Sequence, residues 1–144
     1  MIGKTTKGKG FGGVLRYVFQ KPSAKYIGGN MIGETPSELA REFRAIASQS
    51  KKVKIPVAHI SFSPSPQEHL DDIQALEFAI AYMEKIGFSE CQWVLARHND
   101  TKTPEGKERP HFHIIANRVS YPDGKVVTAW RDWRRSELAL RALE

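Results

Sequence analysis

The run Pro110-His111-Phe112-His113-Ile114-Ile115-Ala116-Asn117 decides the fold of this chain. Its apolar and β-branched positions largely alternate with polar ones, the pattern of a buried strand. Alternate side chains on a strand share a face, so His111, His113, Ile115 and Asn117 point one way and Phe112, Ile114 and Ala116 the other. Two imidazoles two residues apart on one face stand about 6–7 Å apart at their Cα atoms. Both rings can therefore converge on one ion.

Working outward, Cys91 to Arg97 reads as a second strand that delivers His98 and Asp100 at its end. Thr101 to Arg109 reads as a charged, Pro/Gly-containing loop that lets the chain reverse. The flanking strands then pair antiparallel, and His98 returns beside His111 and His113. Three imidazoles with Asp100 form a neutral-nitrogen and carboxylate set suited to a divalent ion with open positions. A single cysteine and the lack of a His-Glu-x-x-His sequence argue against structural zinc and zinc peptidase chemistry.

Ile55 to Phe62 is a further central strand, with Val57, His59 and Ser61 on one face and Ala58, Ile60 and Phe62 on the other. In that setting His59 reads as a satisfied core histidine. Ser65-Pro66-Gln67-Glu68 has the form of a capping box opening a long helix, with Leu70, Ile73, Leu76, Ile80 and Met83 as its apolar stripe and Gly87 as its left-handed stop. Thr35-Pro36-Ser37-Glu38 is a second capping box, which predicts a helix over 36–49 with Leu39, Phe43 and Ile46 buried.

Val14 to Gln20 reads as two helical turns, with a strand as the alternative, and Lys25 to Met31 as a strand broken by a Gly-Gly turn. Met1 to Lys9 reads as a flexible basic lead-in without P-loop spacing. Asp123-Gly124 marks a tight turn before a short strand at Val126-Val127, and Trp130 to Glu144 a helix bearing Arg131, Arg134, Arg135 and Arg141. That last pattern stops without a C-cap signal, which predicts that the natural chain continues.

The 144 residues suit one domain, 1–144, with a real core. A net charge of +6 favours a polyanionic partner, nucleic acid first. The lone Cys91 excludes an internal disulfide and fits a reducing cytoplasmic setting. No apolar run approaches the ~18 residues of a membrane span, and no signal-peptide core is present, so no membrane partner is expected. An ion held by a basic domain can polarise a phosphodiester, which then needs a nucleophile. Cys91 reads as a core thiol, and Ser61 and Ser63 lack a strand-turn-helix elbow. A tyrosine remains, because a phenol forms a stable yet reversible phosphodiester link. On the residues alone Tyr17, Tyr26, Tyr82 and Tyr121 all stay open.

The centre His111-Phe112-His113, with His98-Asn99-Asp100-Thr101 before it and Ile114-Ile115-Ala116-Asn117 after it, resembles the metal motif of the HUH endonucleases. More narrowly it resembles the single-tyrosine relaxase/mobilisation nuclease family, which starts transfer of plasmids and conjugative elements. Gly13-Val14-Leu15-Arg16-Tyr17-Val18 is similar to that family's nucleophile motif, and His59-Ile60-Ser61-Phe62 to its second motif. The resemblance implies an α+β fold, a mainly antiparallel sheet of about five strands with flanking helices. It implies Tyr17 as nucleophile, Ser61 as a DNA contact near the cut, and His98, His111 and His113 as ligands of Mg²⁺ or Mn²⁺. The loop from Thr101 to Arg109 is longer than the family's compact linker, which points Asp100 to orienting a ligand histidine.

The implied reaction is nicking and rejoining of single-stranded DNA at a transfer origin through a 5′-phosphotyrosine link, with accessory relaxosome proteins as further partners. Lys4, Lys7, Lys9, Arg16 and Lys25 near the tyrosine, and Arg131, Arg134 and Arg135 at the far end, would track the DNA backbone. Trp130 and Trp133 would stack on bases or pack the last helix. Two alternatives are a non-catalytic single-stranded DNA-binding or replication-initiation module and a metal-dependent hydrolase with a water nucleophile.

Overall fold

A computed structural model of the chain describes residues 2–65, 67–102, 104–127, 141 and 143. Three helices and five strands are described. They follow the order β1 (Ile2–Gly8), α1 (Phe11–Phe19), β2 (Lys25–Gly29), α2 (Pro36–Ala47), β3 (Val57–Ser63), α3 (Asp72–Lys85), β4 (Trp93–Lys102) and β5 (Glu108–Asn117). The strands form one antiparallel sheet in the order β1-β3-β5-β4-β2. The expected α+β architecture is therefore the one observed, and β5 is its central strand.

The two faces of β5 sort the core as the alternation requires. Phe112, Ile114 and Ala116 join Ala58, Ile60, Phe62 and Leu95 under α3. Ile115 joins Val57, Val94 and Ala96 under α1 and α2, whose Phe11, Leu15, Leu39 and Phe43 complete that layer. Phe11, Leu15 and Val18 recur at helical spacing, which resolves the helix-or-strand ambiguity at Val14 to Gln20 in favour of a helix that begins earlier, at Phe11. The Thr35/Glu38 box caps α2 as expected, with the Thr35 hydroxyl accepting from the Glu38 N–H at 3.2 Å.

Several expectations are corrected. The basic lead-in is not flexible: Ile2–Gly8 is an edge strand that pairs with β3 from Ile2↔Ser63 to Gly8↔Val57. Its lysines and threonines suit an edge, where charge discourages pairing with further chains. The hairpin loop is shorter than expected, because β4 runs on through Lys102 and β5 begins at Glu108. In β2 the paired glycines lie within the strand, beside a bulge between Tyr26 and Gly28, and do not form a turn. A Cβ on Gly29 would run into the Trp93 carbonyl oxygen of β4, so this close approach requires glycine. Val126 makes only an isolated bridge to Val119. Of the final helix only Arg141 and Leu143 are described; Trp130, Arg131, Trp133, Arg134 and Arg135 lie outside the described residues.

α3 departs most from its pattern. Ser65 and Glu68 form a turn that does not propagate, and the helix is capped instead by a second box of Asp71 and Gln74. Its buried residues are Ala75, Ala79, Tyr82 and Met83, while Ile73 and Ile80 are 71% and 52% exposed. Small residues allow the helix axis to approach the aromatic face built by Phe62 and Phe112. The stripe of large aliphatics therefore marks the flank. Ile80→Gln should cost under about 0.5 kcal/mol, as a surface change does, whereas Ala79→Leu should cost about 1–3 kcal/mol through overpacking. Urea denaturation of both variants checks this order, which is the reverse of the one the aliphatic stripe suggests.

Candidate active site

Strand register assembles the site. β4 pairs with β5 so that His98 faces His111 and Ala96 faces His113. β5 pairs with β3 so that Ser61 faces His113, and β1 pairs with β3 so that Lys4 faces Ser61. Paired residues share a face, so Lys4, Ser61 and His113 form one row across three strands. The next row of that face holds Thr6 and His59. A bulge between His98 and Thr101 ends the regular pairing just beyond the histidines; the backbone of Asp100 lies in it, and its side chain is outside the described residues.

His98, His111 and His113 each offer a ring nitrogen, and these nitrogens all lie within 4.8 Å of one another. His98 is fully buried and His113 nearly so. The Nε2–H of His98 donates to the Val18 carbonyl of α1 at 2.6 Å. That carbonyl is one of the acceptors left over at a helix end. Pro22, four residues on, has no N–H to supply. The hydrogen bond fixes the tautomer and leaves the lone pair on His98 Nδ1, which is buried without a partner among the described residues. His113 Nδ1 lies 2.8 Å from His59 Nε2, and its Nε2 is likewise buried and unpartnered. Two orphaned acceptor nitrogens converging with His111 are the donor set a divalent ion requires, each ring held from behind by a second group. The residues present fit a metal.

Burial keeps these rings neutral. His113 is pushed down from its ordinary 6.5 to about 3, first by desolvation and then by His98, His59, His111 and Lys21. His59 is also lowered, by desolvation and then by His98 and Lys4. A neutral imidazole keeps the lone pair that coordination needs.

Beside the cluster opens a cleft of about 280 Å³ lined by Lys4, Thr6, Tyr17, His59, Ser61 and His113. Tyr17 projects into it from α1, 54% exposed, with its ring 6.5 Å from that of His59 and the Lys21 ammonium 4.6 Å from its own centroid. The other tyrosines lie elsewhere: Tyr82 is buried in the α3 core, Tyr26 sits on β2, and Tyr121 is exposed near the Asp123 turn. Cys91 is buried with its thiol pushed up to about 12, by desolvation first and then by Glu90 and Asp123, which removes it as a nucleophile.

Of the basic residues singled out from the sequence, Lys4 lines the cleft and Arg16 a neighbouring groove. Lys7, paired with Ala58, falls on the opposite face of the sheet, and Lys9 lies beyond the end of β1. Lys25 is ion-paired with Asp72 of α3 at 2.5 Å and is not brought to the cleft. His59, read from the sequence as a core histidine, stands between Tyr17 and His113. Its alternation with Ser61 was the available signal, but only the β3–β5 register makes it a neighbour of the metal ligands.

An antiparallel sheet of this order, with a His-x-His pair on its central strand and a third histidine across the hairpin, is an HUH endonuclease-like fold. The family model "Relaxase: MobA/VirD2-like, nuclease domain" matches residues 17–144, and the chain belongs to that family. No curated protein and no solved structure matches. A family of DNA-acting relaxase nucleases agrees with the basic charge, and no described helix is long and apolar enough to cross a membrane.

Two measurements follow from the cluster. The folded state holds His113 well below its unfolded value, so the unfolded chain binds more protons between about pH 6.5 and about pH 3. The metal-free protein should keep this contribution above pH 6.5 and lose it progressively as pH falls through that window. His113→Gln should flatten the decline, read as melting temperature against pH. Separately, a divalent ion present at about 100 times its Kd should stabilise the fold by about 2.7 kcal/mol. Calorimetry of His98→Ala should show that gain abolished.

Proposed function

We propose that residues 1–144 act as a relaxase nuclease domain that nicks and rejoins single-stranded DNA at a transfer origin by tyrosine transesterification. The observation that carries the reading is the shared cleft, in which an exposed tyrosine stands beside Lys4, Ser61 and the three-imidazole cluster. A hydrolase with a water nucleophile would have no need of a phenol there.

The Tyr17 phenol oxygen attacks the scissile phosphorus and forms a 5′-phosphotyrosine bond. The bond from phosphorus to the 3′ oxygen breaks, and that oxygen leaves as a free 3′ hydroxyl once it has taken up a proton. One phosphodiester replaces another, so the exposed 3′ hydroxyl can attack the phosphotyrosine and restore the strand. Lys4 and Ser61 hold a non-bridging phosphate oxygen, the first by charge and the second by its hydroxyl. Lys21, over the Tyr17 ring, adds positive charge near the developing negative charge. An ion held by His98, His111 and His113 would polarise the scissile phosphate. Three nitrogen donors favour Mn²⁺ over Mg²⁺ of the two expected ions. His59 and the Val18 carbonyl keep the ligand rings oriented, and Asp100 keeps the orienting role that the family resemblance implies.

The decisive test is a denaturing gel of wild type and Tyr17→Phe, each incubated with Mn²⁺ and candidate origin strands. Wild type should yield a band heavier by the mass of a DNA fragment, and Tyr17→Phe none, while strand binding persists in both. Cleavage without an adduct in wild type would instead assign the chemistry to water.

A further inference from the structure

A second anion-binding feature lies on α1 and α2, next to the cleft and outside it. α2 presents Ser37, Arg41, Arg44 and Ser48 at helical spacing on a face distinct from its buried Leu39, Ala40, Phe43 and Ala47. Ser37, Arg41 and Arg44 from this face, with Gly12, Arg16 and Gln20 from α1, line a groove of about 440 Å³.

The two helices aim their guanidinium groups at one spot. Above Gly12, the position a Cβ would occupy is 3.2 Å from an Arg16 Nη1 and 3.3 Å from an Arg44 Nη2. Glycine leaves the room that both groups take up. Like charges brought this close repel, and nothing among the described residues neutralises Arg16 or Arg44 by an ion pair. The nearby carboxylates are engaged elsewhere. Glu42 accepts from the Ile32 and Gly33 N–H groups, and Glu38 accepts from the Thr35 N–H in the α2 cap. Forked donors gathered without a counter-charge match a phosphate, which planar guanidinium groups bind through paired hydrogen bonds.

Position supplies the rest. Arg16 precedes Tyr17 in α1, so the groove begins about a quarter-turn of helix from the phenol. Past Arg44 a further hollow of about 460 Å³ continues the positive band to Lys9 and Lys54. We propose that this α1–α2 groove is a second phosphate site, with Arg41 and Arg44 gripping the backbone of the same DNA strand a few nucleotides from the scissile phosphate. The proposal rests on the relaxase reading, since it takes the strand in the Tyr17 cleft as the ligand that extends into the groove.

The test is fluorescence-anisotropy titration of oligothymidylates from about 4 to about 24 nucleotides, a range that brackets the site sizes of single-strand binders. Wild type, Arg41→Ala/Arg44→Ala and Arg41→Lys/Arg44→Lys are each titrated at several salt concentrations. Short strands should bind all three proteins alike. Once strands are long enough to leave the cleft, the alanine pair should bind about tenfold more weakly at low salt, and its slope of log K against log salt should fall by about 1.4, about 0.7 for each phosphate released. The lysine pair, which keeps the charge and controls for helix packing, should retain the wild-type slope. An unchanged slope in the alanine pair, or an equal loss at every strand length, would overturn the groove. The Tyr17 adduct is scored on the same wild-type preparation. An adduct without arginine-dependent binding of long strands sinks the groove alone, and arginine-dependent binding without an adduct sinks the transesterase reading alone.

Discussion

The register between β4 and β5 is the constraint on which the site depends. His98 opposite His111, with Ala96 opposite His113, puts three imidazoles on the face that α1 and α2 cover. A slip of one residue would turn His98 to the α3 face and bring Arg97 or Asn99 into its place, because side chains alternate along a strand. The register is held by apolar packing on both sides at once. Leu95, Phe112 and Ile114 are fixed under α3, while Val94, Ala96 and Ile115 are fixed under α1 and α2. The bulge beyond His98 confines the irregular pairing to the open end of the hairpin, where it leaves the ligands undisturbed.

Burying three imidazoles in such a layer is tolerable because none need be charged. Desolvation and mutual repulsion both favour the neutral forms, and the hydrogen bonds that remain are those a neutral ring can make. His98 donates to Val18 and retains one free lone pair; His113 is held by His59 and retains another. Unsatisfied buried nitrogens cost stability in a site with no ligand. Two that converge are a strained feature with a use, and the fold carries them in the same layer as a well-packed core.

Much of this was legible in the sequence, for reasons that differ by element. The β5 alternation and the α2 capping box are local signals, and both appear in the structure as read. The His98 partnership was legible too, because a chain reversal between two strands leaves few ways to pair them. α3 misled because its large aliphatics and its small alanines both recur at helical spacing, and only the flatness of the sheet beneath selects the alanine face. The edge strand β1 was unreadable for a related reason. Lysine, threonine and glycine carry little burial signal, and the strand exists because β3 would otherwise leave an unpaired row of backbone groups. His59 and the arginine pair of α1 and α2 needed tertiary contacts to acquire neighbours at all.

The hydrogen bond from His98 to Val18 joins the two halves of the chemistry through adjacent residues. Val18 follows Tyr17 directly, and Pro22 leaves its carbonyl without a helical donor, so the end of α1 is tied to the sheet by the same ring that would ligate the ion. Leu15 and Val18, both buried against the β4–β5 layer, fix the rotation of the helix about its axis. With that rotation set, Tyr17 points into the cleft, and Arg16 turns toward α2. A displacement of α1 would thus move nucleophile and ligand together. Reversible strand transfer demands such coupling, because the phenol and the phosphate it carries must return to the same place for the strand to be rejoined.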